Sequence, residues 1–441
     1  MRHDSRRIVL AALILVCSAP AFAATLVVDQ DGQGSATNCS AASVAFTSIT
    51  AAITAAAAGD IIVVCPGAGP YNEQLSISKA LTIRGATNTN VIVRPSPMMA
   101  NSSSAYSGSP IAAAIVVADT TATLTNLVVD GTDAAIGGAS CSGPNMIGIF
   151  FRNASGTVSN STVRNMKLEP GLEGCQYGLG IFAQSGGGGT STVTVDGVNV
   201  HTYQKNGIVG NEVGTTIDVV NSLVTGEPSA NVSVQNGVQI GFGATGSISS
   251  TRIVDMVYMP CAFPYTPGSG CDTGSSLGIL VFDADVDVIV QDNVITNTQG
   301  GIFIGGGIIA NGSNRTDISR NVISDTKVFQ GIIIIGDDHT VSGNNITHTD
   351  DVAIFVSGNV NRVNTNRIHD APAGVWVYSG TDNVVNVTGP RTNLFFNVET
   401  TTILPTSLLS TARSSPAKGS SSTKESGKAR GRAPHVKAER Y

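Results

Sequence analysis

Aromatic residues supply only 5% of this 441-residue chain and charged residues only 13%, with a single tryptophan. Long amphipathic stretches at helical spacing are also missing, which argues against a helical bundle. After the first residues no stretch is apolar for the ~20 positions that a membrane helix requires. No C-x-x-C pair occurs, so a zinc centre or a thioredoxin-like redox centre is not expected. What is abundant is glycine, at 50 residues, together with threonine, serine, asparagine and valine. Short β-branched runs recur between glycine and asparagine punctuation, and that pattern reads as all-β.

The two ends differ from the middle. Arg2, Arg6 and Arg7 precede an apolar run from Ile8 to Val16, and Ala21-Phe22-Ala23 follows as an A-x-A cleavage site. This order is that of an export signal over residues 1–23, in preference to a buried N-terminal helix. A secreted or periplasmic protein is therefore expected. From about Ser407 the chain is polar and carries Lys418, Lys424, Lys428, Arg430, Arg432, Lys437 and Arg440. It cannot bury enough apolar surface to fold, so 401–441 is expected to be a disordered basic tail. Such a tail could touch anionic glycan or lipid headgroups, although a solubilising role is the simpler reading.

Of the seven cysteines, Cys17 lies in the export signal, leaving six. In an oxidising compartment an even number reads as disulfides. Fifteen pairings are possible in principle; neighbours in sequence are favoured, namely Cys39–Cys65, Cys141–Cys175 and Cys261–Cys271.

Between the ends the chain repeats. Val290-Gln-Asp-Asn293-Val-Ile295, Ile318-Ser-Arg-Asn321-Val-Ile323, Val341-Ser-Gly-Asn344-Asn-Ile346 and Val363-Asn-Thr-Asn366-Arg-Ile368 all fit V/I-x-x-N-x-I. Their asparagines are 28, 23 and 22 residues apart. A Gly-Ile or similar pair precedes each, as at Gly278-Ile279, Gly301-Ile302, Gly331-Ile332 and Ala353-Ile354; it recurs earlier at Gly148, Gly180, Gly207 and Gly237. A turn this short cannot bury its few inward side chains alone, but stacked turns can. The fold expected is a single-stranded right-handed parallel β-helix over 61–400, with about 10–11 turns. The asparagines are expected to stack at a tight bend, tolerating a left-handed backbone and bonding amide to amide. Residues 24–60 would supply an N-terminal strand and a capping helix, the Ala-rich run Ser48–Ala58 that Gly59 stops.

The segment after that helix reads Ala58-Gly59-Asp60-Ile61, then Val64-Cys65-Pro66-Gly67, Tyr71-Asn72-Glu73, and Lys79, Leu81, Ile83 and Gly85. It resembles the opening of the pectin-lyase-like β-helix superfamily, as in pectin methylesterases and periplasmic copper-accessory proteins. One departure is visible: Ala68, Gly69 and Pro70 lengthen the link between Pro66-Gly67 and Tyr71. The resemblance implies the fold and a polysaccharide or cell-surface glycan as partner. It does not carry catalytic residues over. Gln291-Asp292 is the one candidate methylesterase pair and sits in the asparagine bend; Asp337-Asp338-His339 and Arg367-Ile368-His369 only loosely echo polygalacturonase motifs. No Met/His copper site is present, and a nucleic-acid partner is not expected.

Candidate site residues fall into three groups. Lyase chemistry needs a base and a cation, for which Lys205 with Glu212, or Arg252 with Asp255, are the nearest candidates. Asp283, Asp285, Asp337 and Asp338 could hold calcium, but two turns separate the clusters by about 9.6 Å, so a solvated acidic edge is the better reading. Gln176, Tyr177, Tyr203, Gln204 and Gln235 precede successive turns and would line a polar strip for a glycan, with the tyrosines as stacking faces. The long insertions fall at 94–112, 131–146, 164–177, 184–192, 225–236 and 255–277, and the side built by loops 131–277 is where a polar polymer is expected. The resulting function is a secreted β-helix that acts on or binds polysaccharide, as a lyase or hydrolase if it is an enzyme. The alternative is a non-catalytic structural or cell-surface interaction protein.

Overall fold

The computed structural model describes residues 23–32, 39, 46–86, 91–136, 140–228, 233–258, 276–307 and 312–404. Residues 1–22 of the expected export signal, the expected tail from 405 onward and the expected Cys261–Cys271 pair lie outside the described residues.

The strands stack into three parallel ladders, called here sheets A, B and C. Among the described residues sheet A holds 13 strands, from Thr25–Val28 through Ile61–Val64, Leu81–Gly85 and Thr121–Thr125 to Val384–Val385. Sheet B runs through Leu75–Ile77, Pro110–Ala118, Asn145–Arg152, Leu179–Gln184 and Asn206–Asn211, and on to Val352–Ser357. Sheet C runs through Val91–Val93, Leu127–Asp130, Thr162–Met166 and Asn199–Tyr203, and the two merge at the long strand Arg367–Ser379. The chain visits B, A and C in rotation, so one strand of each makes a turn.

Thirteen rungs exceed the expected 10–11. Thr25–Val28 already pairs with Ile61–Val64, so the N-terminal strand is a rung of the solenoid. Early turns such as Leu81–Gly85 carry neither the Gly-Ile pair nor the asparagine, and a count on those marks misses them. At the far end the strand Leu394–Ile403 runs past the expected limit of 400. The helix α1 (Ile49–Ala55) forms where the alanine run predicts it, with the Ser48 hydroxyl accepting from Ala51 N. It buries Ile49, Ala52 and Ile53 in the main core and packs on the strands Thr25–Val28, Ile61–Val64 and Leu75–Ile77. Disulfides join Cys39 to Cys65 and Cys141 to Cys175.

The Gly-Ile pair has a steric cause. A Cβ on Gly148 would lie 2.6 Å from the Gly180 carbonyl oxygen and 2.5 Å from a Val163 methyl. Adjacent rungs approach closely there, and glycine fills the column from Gly148 to Gly331 with Ala114 and Ala353 flanking it, while the following isoleucine points into the core.

The asparagines occupy the corner between sheets A and C. Asn293 Nδ2 donates to Asn321 Oδ1 at 2.9 Å, Asn321 to Asn344 at 3.0 Å, Asn344 to Asn366 at 2.9 Å and Asn366 to Asn393 at 2.9 Å. Each amide also donates to a backbone carbonyl, as Asn344 does to Ile318 O at 2.9 Å. One detail differs from expectation. The left-handed backbone belongs to the preceding residue, Asp292, Arg320, Gly343 or Thr365, and not to the asparagine. The bend is made one position early, which frees the asparagine to aim along the axis.

Candidate functional site

The long insertions gather at one edge. The segments 94–109, 131–144, 167–178, 226–235 and 257–276 all connect sheet C to sheet B, whereas 184–192 connects B to A. Strand pairing places one outward column on sheet B beside that edge: Ser76, Val116, Phe150, Phe182, Val209, Gln239, Leu280, Phe303, Ile333, Phe355 and Trp376. It is mostly apolar and buried from Val116 onward, with Phe150 and Phe182 stacked at 5.2 Å. A buried amide network interrupts it: Asn236 donates to Asn206 at 3.1 Å, Asn206 to Gln239 at 3.0 Å and Gln239 to Asn211 at 3.0 Å.

At the N-terminal end of this face a groove of about 370 Å³ opens, lined by Ser76, Ile77, Ser78, Asn101, Ser102, Ser103, Val116, Ala118 and Arg152. The strand Ser102–Ser103 builds one wall, running antiparallel to Pro110–Ala118. Asn101 fixes that wall by copying a strand partner: its amide donates to Ala113 O at 2.9 Å and accepts from Ala113 N at 3.0 Å. Gln184 holds the next residues, accepting from Ser104 Oγ at 3.1 Å and from Ala105 N at 2.8 Å. Arg152 extends the column Ala118–Arg152–Gln184; its Nε donates to Ser103 O at 3.0 Å and its Nη1 lies 3.9 Å from Asp119. Ser76 and Ser78 are exposed, and their hydroxyls make no hydrogen bond among the described residues. The groove thus offers a guanidinium, several hydroxyls and an apolar floor of Val116 and Ala118. None of its lining residues is Asp, Glu, His, Cys or Lys. It can hold a polar or acidic ligand, but it carries no general acid or base of its own.

The residues chosen from sequence lie elsewhere. Tyr203 has no exposed surface, sits in the main core and places its hydroxyl 3.2 Å from Met256 Sδ. Burial raises its pKa well above the usual value. It cannot be a stacking face, because its ring fills the interior just before the chain leaves sheet C. The glutamine strip exists, but its side chains brace loops. Gln204 donates to Leu172 O and Cys175 O, both at 2.8 Å, and accepts from Leu168 N at 3.0 Å. Gln235 donates to Tyr203 O at 2.6 Å and accepts from Glu227 N at 2.8 Å. Gln176 donates to Gly174 O at 3.1 Å, and Tyr177 is half-buried against the core.

Lys205 and Glu212 are both buried, at opposite ends of the strand Asn206–Asn211. Seven residues of extended chain separate them by roughly 20 Å, so they do not share a site. Arg252 is exposed at the start of its strand, while Asp255 accepts from Asn297 Nδ2 at 2.7 Å. The acidic edge serves turns and ion pairs. Asp283 is buried and accepts from Gly307 N at 2.8 Å. Asp337 accepts from Asn359 N at 2.7 Å and from Asn359 Nδ2 at 3.0 Å. Asp285 and Asp338 are exposed. Among the described residues no three His, Cys, Asp or Glu side chains converge as a metal site. Gln291 and Asp292 both engage the Arg320 guanidinium, at 3.0 and 2.7 Å.

The groove itself was missed. Its sequence signal is the Asn101-Ser102-Ser103-Ser104 run in the first insertion and the lone Arg152 that closes the apolar run from Met146.

Comparison with known proteins bears on the fold. A family model described as a right handed beta helix region matches residues 269–393. The chain is a right-handed parallel β-helix. That is the fold which the resemblance to the pectin-lyase-like superfamily implied. Among solved structures, GH136 lacto-N-biosidase from Eubacterium ramulus superimposes with a TM-score of 0.51 at 11% identity, covering 86% of this chain and 68% of that one. Polygalacturonase from Erwinia carotovora ssp. carotovora gives 0.47 at 13% identity, over 87% and 98%. A mutant tailspike protein of E. coli bacteriophage HK620 in complex with pentasaccharide gives 0.46 at 12%, over 80% and 62%. Curated protein sequences give no match.

Proposed function

We propose that this β-helix is exported and binds a polysaccharide, with the Arg152 groove as its contact. The observation that carries the reading is a groove walled by serines and Asn101 with one guanidinium reaching in. Sugar hydroxyls exchange hydrogen bonds with serine hydroxyls, and a planar guanidinium suits a carboxylate. Binding rather than cleavage follows from the lining: glycoside hydrolysis ordinarily needs a pair of carboxyl groups about 5–9.5 Å apart, and the groove lining supplies none. The similar lacto-N-biosidase is named for action on a glycan, which agrees with a carbohydrate ligand.

Export rests on the Arg2–Ala23 segment and agrees with the two disulfides. In this reading α1 covers the apolar N-terminal end of the solenoid, and the acidic body leaves nucleic acid an unsuitable partner. Among the described residues no helix is long and apolar enough to cross a membrane. The test is an array of acidic and neutral polysaccharides probed with the purified mature protein. Retention on acidic members, weakened by salt, is expected. A blank array overturns the reading in favour of a structural spacer.

A further inference from the structure

A second set of charges lies on sheet C, away from the groove. The outward column there begins Asp130, Arg164 and His201 on successive rungs. Arg94 flanks Asp130 from the rung before, directly after the Val93–Val129 pair. Asp130 is fully buried, and its Oδ2 takes Arg94 Nη2 at 2.8 Å and Arg164 Nε and Nη2 at 3.1 and 2.9 Å. Its Oδ1 takes Thr132 N, Thr132 Oγ1 and Asn165 Nδ2 at 2.9, 2.6 and 2.8 Å. Burial alone would raise this carboxyl, but the hydrogen bonds from Thr132, Asn165 and Arg94 hold it far below the usual range, so it is an anion.

One carboxylate therefore serves two guanidiniums, and the trio keeps one positive charge in excess. The two arginine side chains stay about a third exposed, at 30% and 32%. Arg94 Nε is buried with no partner among the described residues. The rungs place the two arginines about 9.6 Å apart along the axis, pinned from beneath by a carboxylate whose acceptor sites are taken. His201 lies one rung beyond Arg164, with Nδ1 3.0 Å from Thr202 Oγ1. Fixed, partly exposed arginine side chains with surplus charge need no rearrangement to accept an anion.

We propose that Arg164 and His201 form an oxyanion site on sheet C, taking a carboxylate or sulfate group, with Asp130 as the positioning residue and Arg94 supplying the surplus positive charge beside it. The site does not depend on the groove. His201 reports on it. Its pKa is lowered by burial first and then by Arg164, with Asp130 pulling the other way; Thr225, the next residue of the column, is uncharged. An anion seated between Arg164 and His201 offsets the Arg164 charge and raises that pKa.

The experiment follows the His201 ring resonance of the full mature protein while inorganic sulfate, and separately acetate, is titrated at constant ionic strength. Saturable shifts and an upward move of the His201 titration are expected. Sulfate binding ahead of acetate identifies a sulfate ester as the natural group, and the reverse order a carboxylate; saturation by either supports the site. Arg164→Gln should weaken the affinity at least tenfold. Asp130→Asn turns an amide NH2 toward donors that the carboxylate accepted, so it should unpin the guanidiniums and weaken the affinity several-fold; unchanged affinity would remove Asp130 from the positioning role. An unsaturable response in the wild-type protein, or unchanged affinity in Arg164→Gln, overturns the proposal. Either result leaves polysaccharide binding in the Arg152 groove untouched.

Discussion

Asn344 donates its side-chain amide to Asn366 Oδ1 at 2.9 Å, and the same Asn366 oxygen accepts the Asn344 backbone N–H at 3.0 Å. Both groups are fully buried. Each asparagine thus closes one bend and supplies the acceptor for the bend before it. Replacing Asn344 by Leu removes the acceptor of the Asn321 backbone N–H and of one Asn321 amide hydrogen, and the donor to Ile318 O. A loss of roughly 1–3 kcal/mol is expected, read as a lower denaturation midpoint. An unchanged midpoint would contradict the ladder.

Gly207→Ala should be similarly damaging. A Cβ there would lie 2.5 Å from a Val224 methyl and 2.7 Å from the Gly237 carbonyl oxygen. Forcing the rungs apart costs about 1–3 kcal/mol. The same change at Gly69, where a Cβ meets nothing within 4 Å, should leave thermal stability unaltered.

The pH dependence of stability carries two opposed contributions. Burial pushes His339 down from 6.5 to about 4. Its neutral ring accepts Thr316 N at 3.3 Å. The unfolded chain binds that proton first, so His339 adds stability above about 6.5 and loses it as pH falls toward 4. Burial pushes Asp351 up from 3.8 to about 6, against its hydrogen bonds from Val352 and Gln330. The folded state holds that proton, so Asp351 favours folding at low pH and loses this as pH rises from 4 to 6. Each contribution is on the order of 3 kcal/mol. Between pH 4 and 6 they offset, and wild-type stability should be nearly flat. His339→Asn, the residue that Asn361 and Asn383 place on the next rungs, should make stability fall with rising pH in that window. Asp351→Asn should make it rise. Denaturant midpoints at three pH values distinguish these slopes.

The repeat was legible because its cause is local: asparagine at a bend and glycine at a close contact recur wherever the geometry recurs. The rungs before Asn293 meet the same bend with other residues, such as Ser161, Ser222 and Thr251 accepting along it, so the asparagine pattern does not mark them. The candidate site was not legible. Tyr203 and Gln204 look like surface polar groups in a loop, yet register turns one into the core and uses the other to brace residues 168–175. Burial of that kind is set by which strand stacks on which, and spacing alone does not reveal it. Arg152 becomes conspicuous only when Ser102–Ser103 folds back beside it.

Calorimetric titration of an acidic oligosaccharide, oligogalacturonate, into wild-type and Arg152→Ala protein tests the central claim most directly. Losing a charge-assisted contact worth about 1.5–3 kcal/mol should weaken binding by tenfold or more, with the circular dichroism spectrum unchanged. Tight binding that survives Arg152→Ala undiminished would contradict the assignment of the groove.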